Sequence, residues 1–230
     1  MAQSKAVVLI SGGLDSATVL AIAQHQGYAC YGLSCDYGQR HHSELAAAKR
    51  LAKNYKTVEH RVVQSDIGQL GGSALTDHNI DVPAYQANDT VPITYVPARN
   101  TLLLSMALGW AELIKADAIF AGMSAVDYSG YPDCRPSFMA AFQGLIDVAT
   151  RLTADEGHRI KLITPLLHLS KAQTIQQGIA LGVDYSQTVS CYNANDQGHA
   201  CGVCDSCALR RKGFAEAKVA DPTVYQQQGL

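Results

Sequence analysis

The sequence predicts an α/β fold: a doubly wound, mainly parallel sheet with helices on both faces, joined to a small C-terminal zinc-binding segment. Three observations carry that expectation. Apolar runs rich in β-branched residues, such as Lys5-Ala-Val-Val-Leu-Ile10, read as strands buried on both faces. Segments with helical spacing alternate with them, which demands right-handed crossovers around a parallel sheet. Near the end, Cys191-x9-Cys201-x2-Cys204-x2-Cys207 is immersed in turn residues.

In chain order, the strand at 5–10 leads into Ser11-Gly12-Gly13-Leu14-Asp15-Ser16. A helix follows in which Ala17, Leu20, Ala21 and Ile22 recur at helical spacing up to Gly27, a C-terminal stop. Strand, glycine turn and helix aim several backbone N–H groups and a positive helix end at one point, a cradle for phosphate. Gly12 and Gly13 allow close approach, Ser11 and Ser16 add hydroxyls, and Asp15 can hold a metal ion or cap the helix. This is not the Walker loop, which needs a lysine before its closing hydroxyl residue. The competing reading of the six residues is a tight turn with Asp15 or Ser16 as a simple cap.

A second strand is expected at 29–36, a helix at 42–55 and a third strand at 57–63. The loop-like stretch at 65–96 is long enough to mark function, and reads as a lid. A helix at 100–114 is apolar all round, so it is expected to be well buried, with Asn100 as its N-cap. A strand at 117–122, a helix at 136–152, a strand at 159–163 and a helix at 170–181 capped by Ser170 complete the alternation. Ligands of such sheets sit beyond the carboxyl ends of the strands. The polar clusters fall there: residues 11–16, 36–40 and 122–135.

Arg99 stands at a helix entrance and suits bidentate contact with phosphate or carboxylate. Lys171 occupies a first helical turn, where the dipole disfavours a cation and an anionic ligand would compensate. Asp127, Tyr131, Asp133 and Arg135 crowd one connector. Such carboxylates accept hydrogen bonds from the edge of a guanine-like base and tyrosine stacks on its ring, although Ser-Gly-Tyr-Pro also reads as a plain turn.

The 230 residues are expected to form one domain, 1–230, with 186–230 as the four-cysteine segment. A net charge of −2 gives no footprint for nucleic acid or an anionic membrane. No apolar run approaches the roughly 18 residues of a membrane span, and Met1-Ala-Gln-Ser-Lys5 runs straight into the first strand without a secretory signal. Seven cysteines in that setting imply a reducing cytoplasm and metal or thiol chemistry. Cys191, Cys201, Cys204 and Cys207 suit a closed tetrahedral Zn²⁺ site, structural rather than catalytic. An iron–sulfur cluster is the rival, and His199 is an alternative ligand. Arg210, Arg211 and Lys212 are placed to offset thiolate charge.

The motif Ser-Gly-Gly-x-Asp-Ser after an N-terminal strand resembles the signature of the PP-loop ATP pyrophosphatases. Taken whole, the chain resembles the 7-cyano-7-deazaguanine synthase family of queuosine precursor synthesis. The match runs through residues 11–16, Asp36-Tyr-Gly-Gln-Arg-His41, Val96-Pro-Ala-Arg-Asn100, residues 127–135, Thr164-Pro-Leu166 with Lys171, and the four cysteines. Two departures are Ala98, where many members have Gly, and Gln173, where Glu is frequent.

The resemblance implies an adenine nucleotide alpha hydrolase-like fold, ATP, Mg²⁺ and Zn²⁺ as cofactors, and a homodimer. It implies 7-carboxy-7-deazaguanine and ammonia as substrates, with neither nucleic acid nor membrane as partner. The carboxylate is activated by adenylation, ammonia displaces AMP to give the amide, and a second adenylation lets AMP leave from the amide oxygen as the nitrile forms. The implied catalytic set is Ser11, Asp15, Ser16, Arg99 and Lys171. ATP lies against Ile10, Ser11, Gly12, Gly13, Leu14, Asp15, Ser16, Ala17, Thr18, Val19, Leu20 and Arg40, and Asp127, Tyr131, Asp133 and Arg135 take the deazaguanine. Within the same superfamily the alternative is a tRNA-modifying thiolase; from another class it is a zinc-stabilised nucleotide-binding regulator without turnover.

Overall fold

Five strands, β1 (Lys5–Leu9), β2 (Ala29–Asp36), β3 (Glu59–Gln64), β4 (Ala118–Phe120) and β5 (Lys161–Ile163), pair in parallel in the order β3-β2-β1-β4-β5. The structure, a computed structural model, describes residues 3–40, 42–86, 91–126 and 131–227. Among the described residues, seven helices pack around the sheet: α1 (Leu14–His25), α2 (Ser43–Asn54), α3 (Arg99–Ile114), α4 (Pro136–Ala149), α5 (Arg151–Ala154), α6 (Lys171–Ala180) and α7 (Asp205–Ala217). Strand β1 lies at the centre, and Ala6, Val7 and Val8 are all fully buried, which is why it reads as an unbroken apolar run. Ala6, Val8 and Phe120 pack with α1, α6, α7 and the inner side of α2; Val7 and Ile119 pack with α3, α4 and α5. Helices therefore cover both faces of the sheet.

Three expectations change. Helix α3 is not buried all round: Thr101, Ser105, Gly109 and Leu113 face outward, and Leu113 is 78% exposed. Nor is Asn100 its N-cap. Ala98 holds that position, and the Asn100 backbone N–H donates instead to Asp133 Oδ2 at 3.2 Å. The helix expected at 136–152 breaks at Thr150, whose extended backbone (φ −126°, ψ 155°) and side-chain oxygen, accepting from Thr153 N–H at 3.2 Å, start α5.

Helix α7 has no counterpart in the sequence reading. Its inward side is carried by Cys207, Arg210, Gly213, Phe214 and Ala217, a stripe that hydrophobic periodicity does not detect. Phe214 is 2% exposed and belongs to the same core as β1, so the C-terminal segment is not a coreless tail.

The two departures from the family pattern have local consequences. Gln173 completes a capping box with Ser170: its Oε1 accepts from Ser170 N–H at 2.9 Å, and Ser170 Oγ accepts from Gln173 N–H at 3.3 Å. Glutamine does this as well as glutamate. Ala98 has φ 57° and ψ 16°, a left-handed conformation in which its Cβ is strained. Ala98→Gly is expected to raise the unfolding free energy by roughly 0.5–1 kcal/mol, relief of strain exceeding the added chain entropy; urea denaturation checks it.

Candidate active site at the switch point of the sheet

The order β3-β2-β1-β4-β5 reverses direction between β1 and β4, so the loops after these two strands diverge and leave a crevice. A cleft opens there. Its walls include Ser11, Asp15 and Ser16 after β1, Tyr37 and Arg40 after β2, Glu44 of α2, Arg99 of α3, and Tyr131, Ser190 and Tyr192 from later loops.

The loop after β1 is held in a single shape. Gly12 has φ +94°, and a Cβ there would come within 2.2 Å of the Glu44 carbonyl oxygen, so only glycine lets the loop lie against α2. Ser16 Oγ donates to the Gly13 carbonyl at 3.0 Å and accepts from Gly12 N–H and Ser11 Oγ, each at 3.2 Å. Helix α1 starts at Leu14, its positive end at the cleft. Asp15 is paired with Lys171, whose Nζ donates to both carboxylate oxygens at 2.8 Å. Lys171 is 6% exposed, and its stem packs on Gly213 of α7, where a Cβ would come within 2.4 Å of Lys171 Cγ. The anion that compensates this first-turn lysine is thus Asp15 itself.

Of the other loop residues, Ile10 and Leu14 line the cleft, whereas Ala17, Thr18, Val19 and Leu20 are buried along α1 in the core. Thr18 Oγ1 bonds the Leu14 carbonyl at 3.0 Å and Tyr185 Oη at 2.8 Å. Arg40 lines the cleft but spends its donors on carbonyls of the loop at 73–80: Ala74 at 2.7 Å, Asp77 at 2.8 Å, and Ile80. That loop also docks on the cysteine segment, Tyr85 N–H donating to the Val203 carbonyl at 2.8 Å.

On the far wall, Arg99 is half-buried and donates to Tyr37 Oη at 3.4 Å, with its guanidinium 5.8 Å from the ring centre. Burial pushes the Glu44 carboxyl up to about 7, against the pull of Arg99 and with Cys204 adding to the rise. Tyr131 is buried, hydrogen-bonds Thr94 Oγ1 at 3.0 Å and packs on Tyr95 at 5.4 Å between ring centres. Asp133 lies behind the wall rather than on it: Oδ2 caps α3, and Oδ1 is buried without a hydrogen-bond partner among the described residues. Arg135 is exposed at the entrance of α4, away from the cleft lining, and Asp127 lies outside the described residues. Cys35 and Cys134 reach the cleft, but burial raises both thiols to about 11, so neither is a thiolate nucleophile near neutral pH.

The four-cysteine cluster converges. The Sγ atoms of Cys191, Cys201, Cys204 and Cys207 lie within 4.8 Å of one another, with Cys191–Cys204 and Cys201–Cys207 each at 4.0 Å. A tetrahedral ion with Zn–S bonds of about 2.3 Å needs edges of about 3.8 Å. Backbone N–H groups of Asn193 and Cys201 donate to Cys191 Sγ at 3.3 and 3.1 Å, as expected around a thiolate ligand. The donor set fits a metal, and His199 is not part of it among the described residues. The basic run mostly turns elsewhere: Arg210 to Asp221 and Thr188, and Lys212 to Glu216, while Arg211 clamps the Gly202 carbonyl between the ligands.

A family model described as queuosine biosynthesis protein QueC matches residues 5–218. The chain belongs to this family. It is 62% identical over 221 residues to the 7-cyano-7-deazaguanine synthase of Coxiella burnetii, covering 96% of this chain and 97% of that one. With the protein of the same name from Cellvibrio japonicus the identity is 60% over 225 residues, covering 98% and 99%. A solved structure described as the predicted subunit of a tRNA methyltransferase from Methanocaldococcus jannaschii shares the fold at a TM-score of 0.50 and 16% identity, covering 97% of this chain and 92% of that one.

For this QueC family member, sequence reading left Glu44, Ser190 and Tyr192 unassigned. Glu44 sits in the first turn of α2, where an acid is a routine helix-start residue, and only its half-buried place beside Arg99 distinguishes it. Ser190 stands next to Cys191 of the four-cysteine cluster, which draws attention from it. Among the described residues, no helix is long and apolar enough to cross a membrane.

Proposed function

We propose that the chain converts 7-carboxy-7-deazaguanine and ammonia to 7-cyano-7-deazaguanine at the expense of ATP, through adenylated intermediates. One observation carries this reading: near-complete coverage, at about 60% identity, of relatives bearing the synthase name. The cleft is chemically suited to it. A carboxylate is a poor electrophile until its oxygen bonds to the α-phosphorus and pyrophosphate leaves. Ammonia then adds to the carbonyl carbon and AMP departs; adenylation of the amide oxygen and loss of AMP leave the nitrile.

Ser11, Gly12, Gly13 and Ser16, with the α1 entrance, would hold the departing pyrophosphate, as preorganised donors do most of the work in such transfers. Lys171 neutralises Asp15 and so keeps the loop attractive to an anion. Arg99 faces the same cleft and is the group we assign to the α-phosphate. Mg²⁺ takes one or two carboxylates with substrate phosphates and water, and each Asp15 oxygen keeps lone pairs beyond its bond to Lys171, so Asp15 would hold the ion. It would neutralise charge on the phosphates. Zn²⁺, on the four cysteines, would have a structural role. The rings of Tyr131 and Tyr192 suit a planar base.

The test is AMP release that requires both the carboxylate and ammonium, with pyrophosphate release that requires the carboxylate. Release that ignores the carboxylate, or that follows added tRNA instead, sinks the reading.

Glu44 is the group we assign to take the proton from ammonia as it adds. Since a base acts only when ionised, the rate at fixed free ammonia is expected to rise as pH climbs through about 7. Glu44→Gln is expected to slow nitrile formation by about 100-fold, lose that inflection and keep carboxylate-dependent pyrophosphate release. Unchanged pH profiles would rule Glu44 out.

A further inference from the structure

The N-cap position of α1 is Gly13, which has no side chain to satisfy the first helical amides. The missing cap comes from the far end of the chain: Leu14 N–H donates to Ser190 Oγ at 3.1 Å. The adjoining Val189 N–H donates to the Gly12 carbonyl at 2.9 Å, so two consecutive residues grip two residues of the glycine loop. Ser190 immediately precedes Cys191 and lines the cleft beside the loop.

The cysteine segment fixes Ser190 in turn. Its carbonyl accepts from Ser206 Oγ at 2.5 Å, and Ser206 lies between Cys204 and Cys207. Arg210, 4% exposed, donates to Thr188 Oγ1 at 2.8 Å and to Ser190 Oγ at 3.5 Å, and is anchored on Asp221 at 3.0 Å. A cap supplied from within the loop would need a side chain at position 13. A cap supplied by Ser190 leaves that position as glycine, open to a close ligand, and ties the loop's shape to the four-cysteine centre.

We propose that Ser190 is a positioning residue of the phosphate loop, aiming the α1 entrance at the phosphates of ATP and making the four-cysteine segment part of the nucleotide site. The inference rests on reading residues 11–16 as the ATP loop. Ser190 orients Leu14 and, with Val189, Gly12; it takes no part in bond making. It therefore governs nucleotide affinity more than turnover.

The test compares Ser190→Ala and Ser190→Thr in the metal-loaded full chain. Amide exchange over residues 11–18, ATP affinity by titration calorimetry, the KM for ATP against kcat, and bound metal are all read. In the Ala variant, exchange at Leu14 is expected to speed up roughly fivefold, and the Kd and KM for ATP to rise by about the same factor. Metal stoichiometry and kcat are expected to stay as in the parent, and threonine, which keeps the hydroxyl, to restore both affinity and protection.

Parent-like exchange and ATP affinity in the Ala variant overturn the proposal. Loss of metal from the Ala variant, or failure of threonine to rescue, overturns it as well, since the residue would then act through the fold of the segment. A parent chain that binds no ATP overturns the ATP-loop reading, and this inference with it, whatever the exchange data show.

Discussion

Lys171→Met is expected to lower the unfolding free energy by about 2–3 kcal/mol and to abolish the proposed ATP binding. The lysine ammonium is nearly buried and bonds both oxygens of Asp15, so its removal strands a carboxylate. Breaking a fully buried pair costs about 3–5 kcal/mol; the side chain of Asp15 is 24% exposed, and water recovers part of that. The stranded charge also lies at the loop proposed to attract phosphate, so electrostatics there are expected to turn from favourable to repulsive. Adding Asp15→Asn should recover most of the stability but not the binding, because the carboxylate assigned to hold Mg²⁺ is then missing. Urea unfolding and titration calorimetry on the two variants separate the effects. If Lys171→Met keeps parental affinity, the pair is only a structural tie between α1 and α6.

Metal removal is expected to be the larger perturbation. Cys207→Ala, or exhaustive chelation, should take bound zinc from one ion per chain to none and lower Tm by more than about 10 °C. Zinc binding in small cysteine sites amounts to about 10–16 kcal/mol, comparable with the whole stability of an ordinary domain. The damage should not stay local. Cys207 is on α7, whose Phe214 is packed in the same core as β1, and the stretch before Cys191 holds the glycine loop. Limited proteolysis should therefore open the chain after residue 186, and ATP binding should fall with it. A brown protein containing iron would contradict the zinc assignment, and a metal-free variant with parental Tm would show that the cluster is dispensable for folding.

Much of the fold was legible because each signal is local. Buried parallel strands announce themselves as apolar runs, and Ser170 with Gln173 announces a helix start by a contact within four residues. The strand order was not legible. It depends on which crossovers run over which face, and it alone places the loops after β1 and β4 across a common crevice. Exposure of the outer face of α3 was only partly hidden: Thr101, Ser105 and Gly109 recur every four residues, whereas Leu113 looks the same whether or not another layer covers it.

At the site the division is similar. The sequence by itself determined the glycine loop, the cysteine quartet and the need for an anion near Lys171, because glycine freedom, thiolate softness and the helix dipole belong to residue types and spacings. Only the tertiary structure decided what each of these meets. It showed Asp15 as the anion, 156 positions from its lysine, and Ser190 as the cap of a helix 176 positions away. It also turned Asp133 to the start of α3, tied Arg40 to a loop, and buried Glu44 enough to lift its carboxyl toward neutrality. Such outcomes depend on distance and dielectric, which a chain acquires only when segments far apart in sequence are packed together.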